Sequence, residues 1–171
     1  MGRAHDDDFT AFAAAAVADL RRTAFLMCGD WQRAEDTAQE ALIRVYQSWE
    51  RVRRRESLLA YARRTAVRIL IDDARRPSRR ESPGRVDVGS PEVAGPHTEV
   101  AERDAMLTAL AALPPRRRAC VVLRYYHDLS VADTAQALGC SEGTVKSQTS
   151  AALATLRGLL EREQVDLGSP R

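Results

Sequence analysis

The side chains best suited to recognise another molecule lie within residues 129–157, LSVADTAQALGCSEGTVKSQTSAALATLR. Hydroxyl, amide and ammonium groups recur there between apolar residues spaced by three or four, a pattern that turns them to the outside of a helix. At a helix N-terminus such groups can bond to base edges in the DNA major groove, and the positive end of the helix dipole favours nearby phosphates. A solvated helix hairpin in any helical domain is the alternative. The candidate residues are Ser141, Glu142, Thr144, Lys146, Ser147, Gln148 and Ser150.

Two helices joined by a tight turn must position these groups. Ser130 is typical of a helix N-cap, and Asp133, three residues on, resembles the acidic half of a capping box. Gly139 can adopt the left-handed conformation that ends a helix, and Ser141 can cap the next helix at once. The pattern therefore predicts a helix-turn-helix, a fold unit that binds double-stranded DNA.

Charge is distributed unevenly along the chain, although the net charge is only +2. Residues 51–80 contain eleven arginines against three acidic residues, a distribution that favours phosphate binding. Residues 30–40 are instead acidic, with Arg33 as their one basic residue. We therefore expect the two segments to bind different partners.

The rest of the sequence predicts an all-α protein of two small helical domains. Proline and glycine punctuate residues 76–98, which show neither helical nor strand periodicity and indicate a flexible linker. Before the linker, helices are expected up to Cys28, from about Trp31 to Trp49 and from Ser57 to Arg76, with an arginine-rich loop at 51–55. After it, helices are expected at Glu99–Leu113 and Arg116–Tyr126, followed by the helix-turn-helix. The predicted bounds are 5–76 for the first domain, 77–98 for the linker and 99–165 for the second domain.

Composition argues against several functional classes. No apolar run approaches the roughly 18 residues of a membrane span, and the first residues lack a signal-peptide core, so a cytoplasmic protein without membrane contact is expected. The three histidines are scattered and no phosphate loop or nucleophile motif is present, so we expect no enzyme activity, no small-molecule substrate and no cofactor. Cys28, Cys120 and Cys140 are widely spaced, which favours buried or inert thiols over a metal site or disulfides.

Three stretches together resemble a known family. AEDTAQEALIRVYQSW at 34–49 is similar to region 2.2 of the extracytoplasmic-function sigma factors, and AYARRTAVRILIDDARR at 60–76 is similar to regions 2.3 and 2.4. LPPRRRACVVLRYYHDLSVADTAQALGCSEGTVKS at 113–147 is similar to region 4, and its EGTVKSQ is closest to the actinobacterial SigE-family type. The resemblance covers nearly the whole chain and implies a subunit that directs RNA polymerase to promoters.

The resemblance also implies three binding surfaces. The polar face of the second helix would dock on the β′ clamp helices of core RNA polymerase, and the β flap would be a further contact. The third helix and the loop before it would bind the −10 promoter element, and the helix-turn-helix would bind the −35 element. Core-binding candidates are Asp36, Gln39, Glu40 and Arg44, and −10 candidates are Tyr61, Arg63, Arg64, Arg68, Arg75 and Arg76.

Individual roles follow from the chemistry of each side chain. Gln148 can pair with adenine N6 and N7, worth about 1–3 kcal/mol of discrimination, whereas Lys146 suits a phosphate. Tyr61 suits stacking on a base or packing in the core, and both interpretations stay open. Tyr61 stands where relatives often have Trp and Arg68 where many have Asn, so a −10 sequence preference does not carry over.

Other classes of protein give distinguishable predictions. A LuxR-type regulator would also end in a helix-turn-helix, but it would bind DNA stably without polymerase. A helical adaptor would bind neither polymerase nor DNA. Sigma factors of this sort are commonly held inactive by an anti-sigma protein, so such a partner is consistent with the resemblance.

Overall fold

The structure is a computed structural model of the 171-residue chain. It describes the backbone of residues 2–52, 57–76 and 97–168, and the side chains of residues 6–52, 57–76 and 103–162. These residues form helices and turns without a strand, which confirms the all-α prediction. In chain order the helices are α1 (Gly2–Cys28), α2 (Trp31–Gln47), α3 (Trp49–Val52), α4 (Leu58–Asp73), α5 (His97–Ala112), α6 (Pro115–Val121), α7 (Val131–Leu138) and α8 (Glu142–Gly168).

The boundary between α1 and α2 follows from two adjacent residues. Gly29 has a φ of 72°, in the left-handed region that only glycine adopts readily, and its N–H donates to the Phe25 carbonyl at 2.7 Å. Asp30 then caps α2, because its Oδ1 accepts the Arg33 N–H at 2.8 Å. The predicted end and restart of the helix at this point are confirmed.

Helices α1, α2 and α4 pack together as the first unit, Met1–Ser82. Leu20, Ala38, Val45 and Ala62 are all buried between these helices, in keeping with the helical spacing of apolar residues. Trp49 closes one end of this core, with the rings of Phe9 and Phe12 at 5.3 and 5.6 Å from its own. The aliphatic stripe of each helix thus determines which side of it remains available to partners.

Some boundaries in the first unit differ from the prediction. The second helix was expected to run to about Trp49, but α2 ends at Gln47 and the short α3 follows. The change of direction at Ser48 brings both Trp49 and Val52 into the core. Arg51, expected in a loop, lies in α3, and residues 53–55 of that loop lie outside the described residues.

The second unit, Pro83–Arg171, is built around α8, which packs against α5, α6 and α7. Pro115 begins α6, a position where its missing N–H costs nothing. Leu113, Leu123 and Val145 are almost fully buried between these helices. The predicted linker, 77–98, lies outside the described residues except for His97 and Thr98, which already belong to α5. The predicted domain bounds therefore stay a prediction.

A π-helical turn separates α6 from the helix-turn-helix. Residues Val122–Tyr126, expected to continue an α-helix, instead have the His127 N–H donating to the Val122 carbonyl at 3.2 Å, five residues back. Asp128 follows at a φ of 51°. This wider turn accommodates one extra residue, and such turns are often found at functional sites.

Candidate nucleic-acid and protein interfaces

The turn between α7 and α8 has the geometry that the sequence predicts. Gly139 is left-handed at φ 63° and ψ 45°, and the Cys140 N–H donates to the Ala135 carbonyl at 3.1 Å, which completes a Schellman motif. Ser130 Oγ accepts the Asp133 N–H at 3.0 Å, and Ser141 Oγ accepts the Thr144 N–H at 3.1 Å. Each helix is thus capped by the serine that precedes it, and three residues separate the end of α7 at Leu138 from the start of α8 at Glu142.

The first turns of α8 present their polar side chains around an exposed face. Val145 and Thr149 are buried, and Ser147, about 200° around the helix from Val145, lies nearly opposite them. Lys146 and Gln148 flank Ser147 on opposite sides, with Lys146 exposed and Gln148 half-buried. The remaining candidates, Ser141, Glu142 and Ser150, are exposed, whereas Thr144 is half-buried and its Oγ1 lies 2.9 Å from Ser141 Oγ.

A stripe of aromatic and basic side chains follows α4. Tyr61, Arg64 and Arg68 are spaced by three and four residues, which places them on one side of the helix. The Arg64 guanidinium carbon lies 5.1 Å from the centre of the Tyr61 ring, within cation–π range. The Tyr61 ring also packs against the core cluster that contains Trp49, and Arg68 is exposed. The Tyr61 ring thus packs against the core and also contacts the Arg64 guanidinium, and stacking of this ring on a base stays a prediction.

Arg63 lies on a different side of α4 from this stripe. Its Nε and one terminal nitrogen each donate to a carboxylate oxygen of Asp19 on α1, both at 2.7 Å. The two side chains are 23% and 27% exposed. The sequence placed Arg63 among the DNA-binding candidates, but the structure does not bring it together with them, because its guanidinium joins α4 to α1.

Arg75 and Arg76 follow the end of α4 and remain exposed. Each is within ion-pair distance of an aspartate three residues earlier, at 3.8 Å for Asp72 and 3.7 Å for Asp73. Exposed pairs of this kind contribute little energy and exchange readily for other partners. Both guanidinium groups thus lie just beyond the C-terminal end of α4.

The outer face of α2 carries the four core-binding candidates. Each of them forms a hydrogen bond or an ion pair with a side chain four residues away on the same helix. Asp36 accepts from Gln32 at 3.3 Å, and Gln39 donates to Glu35 at 3.5 Å. Glu40 and Arg44 form an ion pair at 2.5 Å. All four are exposed, and the structure brings them together on one helix face as predicted.

Comparison with known proteins identifies the family of the chain. Residues 12–80 match the family model described as Sigma-70 region 2, and residues 103–156 match Sigma-70, region 4. The chain belongs to the sigma-70 family. The RNA polymerase sigma-E factor of Streptomyces avermitilis is 34% identical over 147 residues, which cover 86% of this chain and 82% of that protein.

Further relatives narrow the type of sigma factor. The ECF RNA polymerase sigma factor SigL of Mycobacterium tuberculosis is 37% identical over 149 residues, covering 85% of this chain and 84% of that protein. The sigma factor RpoE from Bartonella quintana, solved in complex with the anti-sigma factor NepR, has a TM-score of 0.71 at 23% identity, covering 90% and 97% of the two chains. The resemblance stated from the sequence is thus confirmed: this is a sigma factor of the ECF type, which binds core RNA polymerase and directs initiation at promoters.

Sigma factors are transcription initiation factors and not enzymes, in agreement with the expected absence of catalysis. In the part of the chain that the structure describes, no group of three or more metal-ligating side chains lies together. None of the described helices combines the length and apolar character needed to cross a membrane.

The three cysteines of this sigma factor are free thiols in the structure. Cys120 is buried under α8, and this burial raises the pKa of its thiol to about 11. Cys28 and Cys140 are half-buried, and Cys28 Sγ lies 3.3 Å from the Asp30 carbonyl oxygen.

In the described part of this sigma factor, sequence reasoning missed five exposed large apolar side chains, one of which is Met106 on α5. Ile43 and Tyr46 lie on the outer side of α2, 57% and 44% exposed. Tyr125 and Tyr126 lie in the π-helical turn, 59% and 46% exposed. Helical spacing could have found the first pair, because Ile43 falls about 180° around α2 from the buried Ala34. The second pair depends on a π-helical turn, for which the sequence gives no periodic signal.

Proposed function

We propose that this sigma factor uses three separate surfaces during initiation. The outer face of α2 binds core RNA polymerase, the stripe on α4 with Arg75 and Arg76 binds the −10 element, and the N-terminal face of α8 reads the −35 element. The observation that carries the proposal is the capped turn at Gly139, which leaves the polar start of α8 exposed on a region-4 domain. Acidic and basic surfaces on different helices of the first unit support the separation of protein and DNA contacts.

At the −35 element the geometry of α8 supports different roles for neighbouring residues. Ser147 lies at the centre of the exposed face and suits the floor of the major groove, with Gln148 to one side as the adenine-reading candidate. Lys146 lies on the other side and suits a backbone phosphate, which positions the domain without reading sequence.

At the −10 element, the Arg64 guanidinium over Tyr61 supports a stacking platform for an unpaired base. Guanidinium planes and aromatic rings both stack on bases, and the arginines around them supply a positive track for the strand. Arg68, Arg75 and Arg76 are the backbone-binding candidates. Arg63 is not needed in this role, because it already bridges to Asp19.

We infer that the protein acts in the cytoplasm, where bacterial RNA polymerase and promoter DNA meet. The complex of RpoE with NepR supports an anti-sigma protein as a second partner here. Such a protein would compete with core polymerase for the outer face of α2, and adding it would suppress sigma-dependent transcripts.

In vitro transcription tests the proposal directly. Core RNA polymerase is assayed with and without the full chain on promoter DNA of its own genome. We expect specific transcripts that require the chain and disappear with the double change Gln39→Ala/Glu40→Ala. The matched control is Glu161→Ala/Arg162→Ala, a polar exposed pair far along α8, which should leave transcription unchanged.

A separate measurement distinguishes the two roles on α8. Gln148→Ala should relax sequence preference at one −35 position, while Lys146→Ala should weaken binding of the holoenzyme to all promoters alike and reduce the salt slope by about 1. No initiation, together with tight specific duplex binding by the free protein, would instead support a regulator of the LuxR type.

A further inference from the structure

Two apolar side chains share the α2 face that carries the polar candidates, with Ile43 near its middle and Tyr46 at its edge. Ile43 is 57% exposed and Tyr46, three residues on, is 44% exposed. Within the described part of the first unit they are the only large apolar side chains exposed to this degree. Gln39 and Glu40 lie one turn before Ile43, so polar and apolar groups share one continuous surface.

The polar groups around Ile43 are already bonded within α2. Glu40 is paired with Arg44 at 2.5 Å, Gln39 with Glu35 at 3.5 Å and Asp36 with Gln32 at 3.3 Å. A partner that binds these groups replaces their existing ion pairs and hydrogen bonds, including those to water, with new ones. The net gain in binding free energy is therefore small. Apolar surface gives up only contact with water when it is covered, so its burial is the larger source of free energy on this face.

The N-terminal part of α1 holds the Tyr46 ring in place. The Tyr46 hydroxyl donates to Asp6 Oδ1 at 3.0 Å, and the Phe9 ring meets the Tyr46 ring edge-on at 4.9 Å. The bond to the Asp6 carboxylate and its negative charge raise the pKa of Tyr46. A side chain ordered before binding loses less conformational entropy when a partner covers it.

We propose that Ile43 and Tyr46 form the apolar anchor by which this sigma factor binds core RNA polymerase, and that Asp6 and Phe9 position Tyr46 for that contact. The inference rests on the proposed use of the α2 face for core binding. The occupant is a polymerase surface in which basic groups surround a shallow apolar recess, complementary to a face with acidic groups around Ile43. The acidic groups steer the encounter, whereas the two apolar side chains determine how long the complex lasts.

Equilibrium binding of the full chain to immobilised core polymerase tests the anchor. A series at one position varies apolar area alone: Ile43→Val should weaken binding less than about threefold, and Ile43→Ala about tenfold or more, equivalent to about 1.4 kcal/mol. The dependence of the Kd on salt should be unchanged by Ile43→Ala and reduced by Asp36→Asn, because only the second removes a charge.

The positioning role has its own test. Tyr46→Phe and Asp6→Ala should each weaken binding by a few-fold, and the double variant should be no weaker than either single variant, since both changes remove the same hydrogen bond. Additive losses would refute positioning by this bond. Because these side chains are exposed, the melting temperature of each variant should match that of the unchanged protein.

The outcomes separate this inference from the function on which it rests. If the unchanged protein fails to bind core polymerase, the proposed function is wrong. If it binds and Gln39→Ala/Glu40→Ala abolishes binding while Ile43→Ala binds as tightly as the unchanged protein, the function stands and the anchor is refuted.

Discussion

The bridge between Asp19 and Arg63 offers a quantitative test of how α4 is held on α1. Two charge-assisted hydrogen bonds at 2.7 Å join side chains that are 27% and 23% exposed. An exposed pair contributes about 0–1 kcal/mol, and removal of one partner of a buried pair costs about 3–5 kcal/mol. For this intermediate burial we expect Asp19→Ala to lower the free energy of unfolding of the first unit by about 2 kcal/mol, which lowers its Tm by about 8–16 °C.

Tryptophan fluorescence during thermal unfolding of the full chain measures this effect. Both tryptophans of the sequence, Trp31 and Trp49, lie in the first unit, so the signal reports that unit without the second. Arg63→Ala should cause a similar loss, and the double variant should show a coupling of about 2 kcal/mol between the two positions. Asp72→Ala is the matched control, because its pair with Arg75 is 69% and 59% exposed and should contribute less than about 1 kcal/mol.

A second readout separates this bridge from a direct DNA contact by Arg63. If Arg63 acts only through its bridge to Asp19, Arg63→Ala and Asp19→Ala should have matching effects. When the two variants lower the free energy of unfolding equally, they should also reduce promoter opening equally. The reasoning is refuted if Asp19→Ala leaves the Tm unchanged, or if Arg63→Ala abolishes promoter opening while Asp19→Ala does not.

Four more predictions concern helix caps, the turn at Gly139 and the burial of Cys120. Gly139→Ala forces a side chain into the left-handed region and should lower the stability of the second unit by about 1–2 kcal/mol, measured as a circular dichroism transition that tryptophan fluorescence does not share. Asp30→Ala removes the N-cap of α2 and should lower the free energy of unfolding of the first unit by about 1 kcal/mol, measured by tryptophan fluorescence. Asp30→Asn should retain most of this stability, because the asparagine oxygen can still accept the capping hydrogen bond. Iodoacetamide at pH 8 should modify Cys28 and Cys140 in the folded protein before Cys120, as peptide mass analysis would show, because burial raises the Cys120 pKa to about 11. The unfolded thiol ionises near 9, so this thiol should lower the free energy of unfolding as pH rises from about 9 to 11, and Cys120→Ala should remove the part of the fall that the thiol causes.

Features set by neighbours in sequence were predictable. Gly29, Asp30, Ser130 and Gly139 act on residues within one helical turn, so their types alone indicate where helices end and begin. The buried stripes of α2 and α4 were equally predictable from the sequence, since helical periodicity determines which residues share a face.

Features set by distant residues were not predictable from these local patterns. Arg63 looked like its neighbours in an arginine-rich segment, and its partner Asp19 lies 44 residues away. Tyr46 is likewise positioned by Asp6, 40 residues earlier. The π-helical turn was missed because a bond across five residues in place of four leaves the apolar pattern almost unchanged.

The dual role of α8 has an evolutionary consequence. The same helix supplies the central packing element of the second unit and the proposed reading surface, with Val145, Thr149 and Ala152 buried and Ser147 and Ser150 exposed. Mutations that alter promoter choice can therefore accumulate at the exposed positions while selection for folding acts on the buried ones. Duplicated copies of such a gene can diverge toward new regulons without first losing a stable domain.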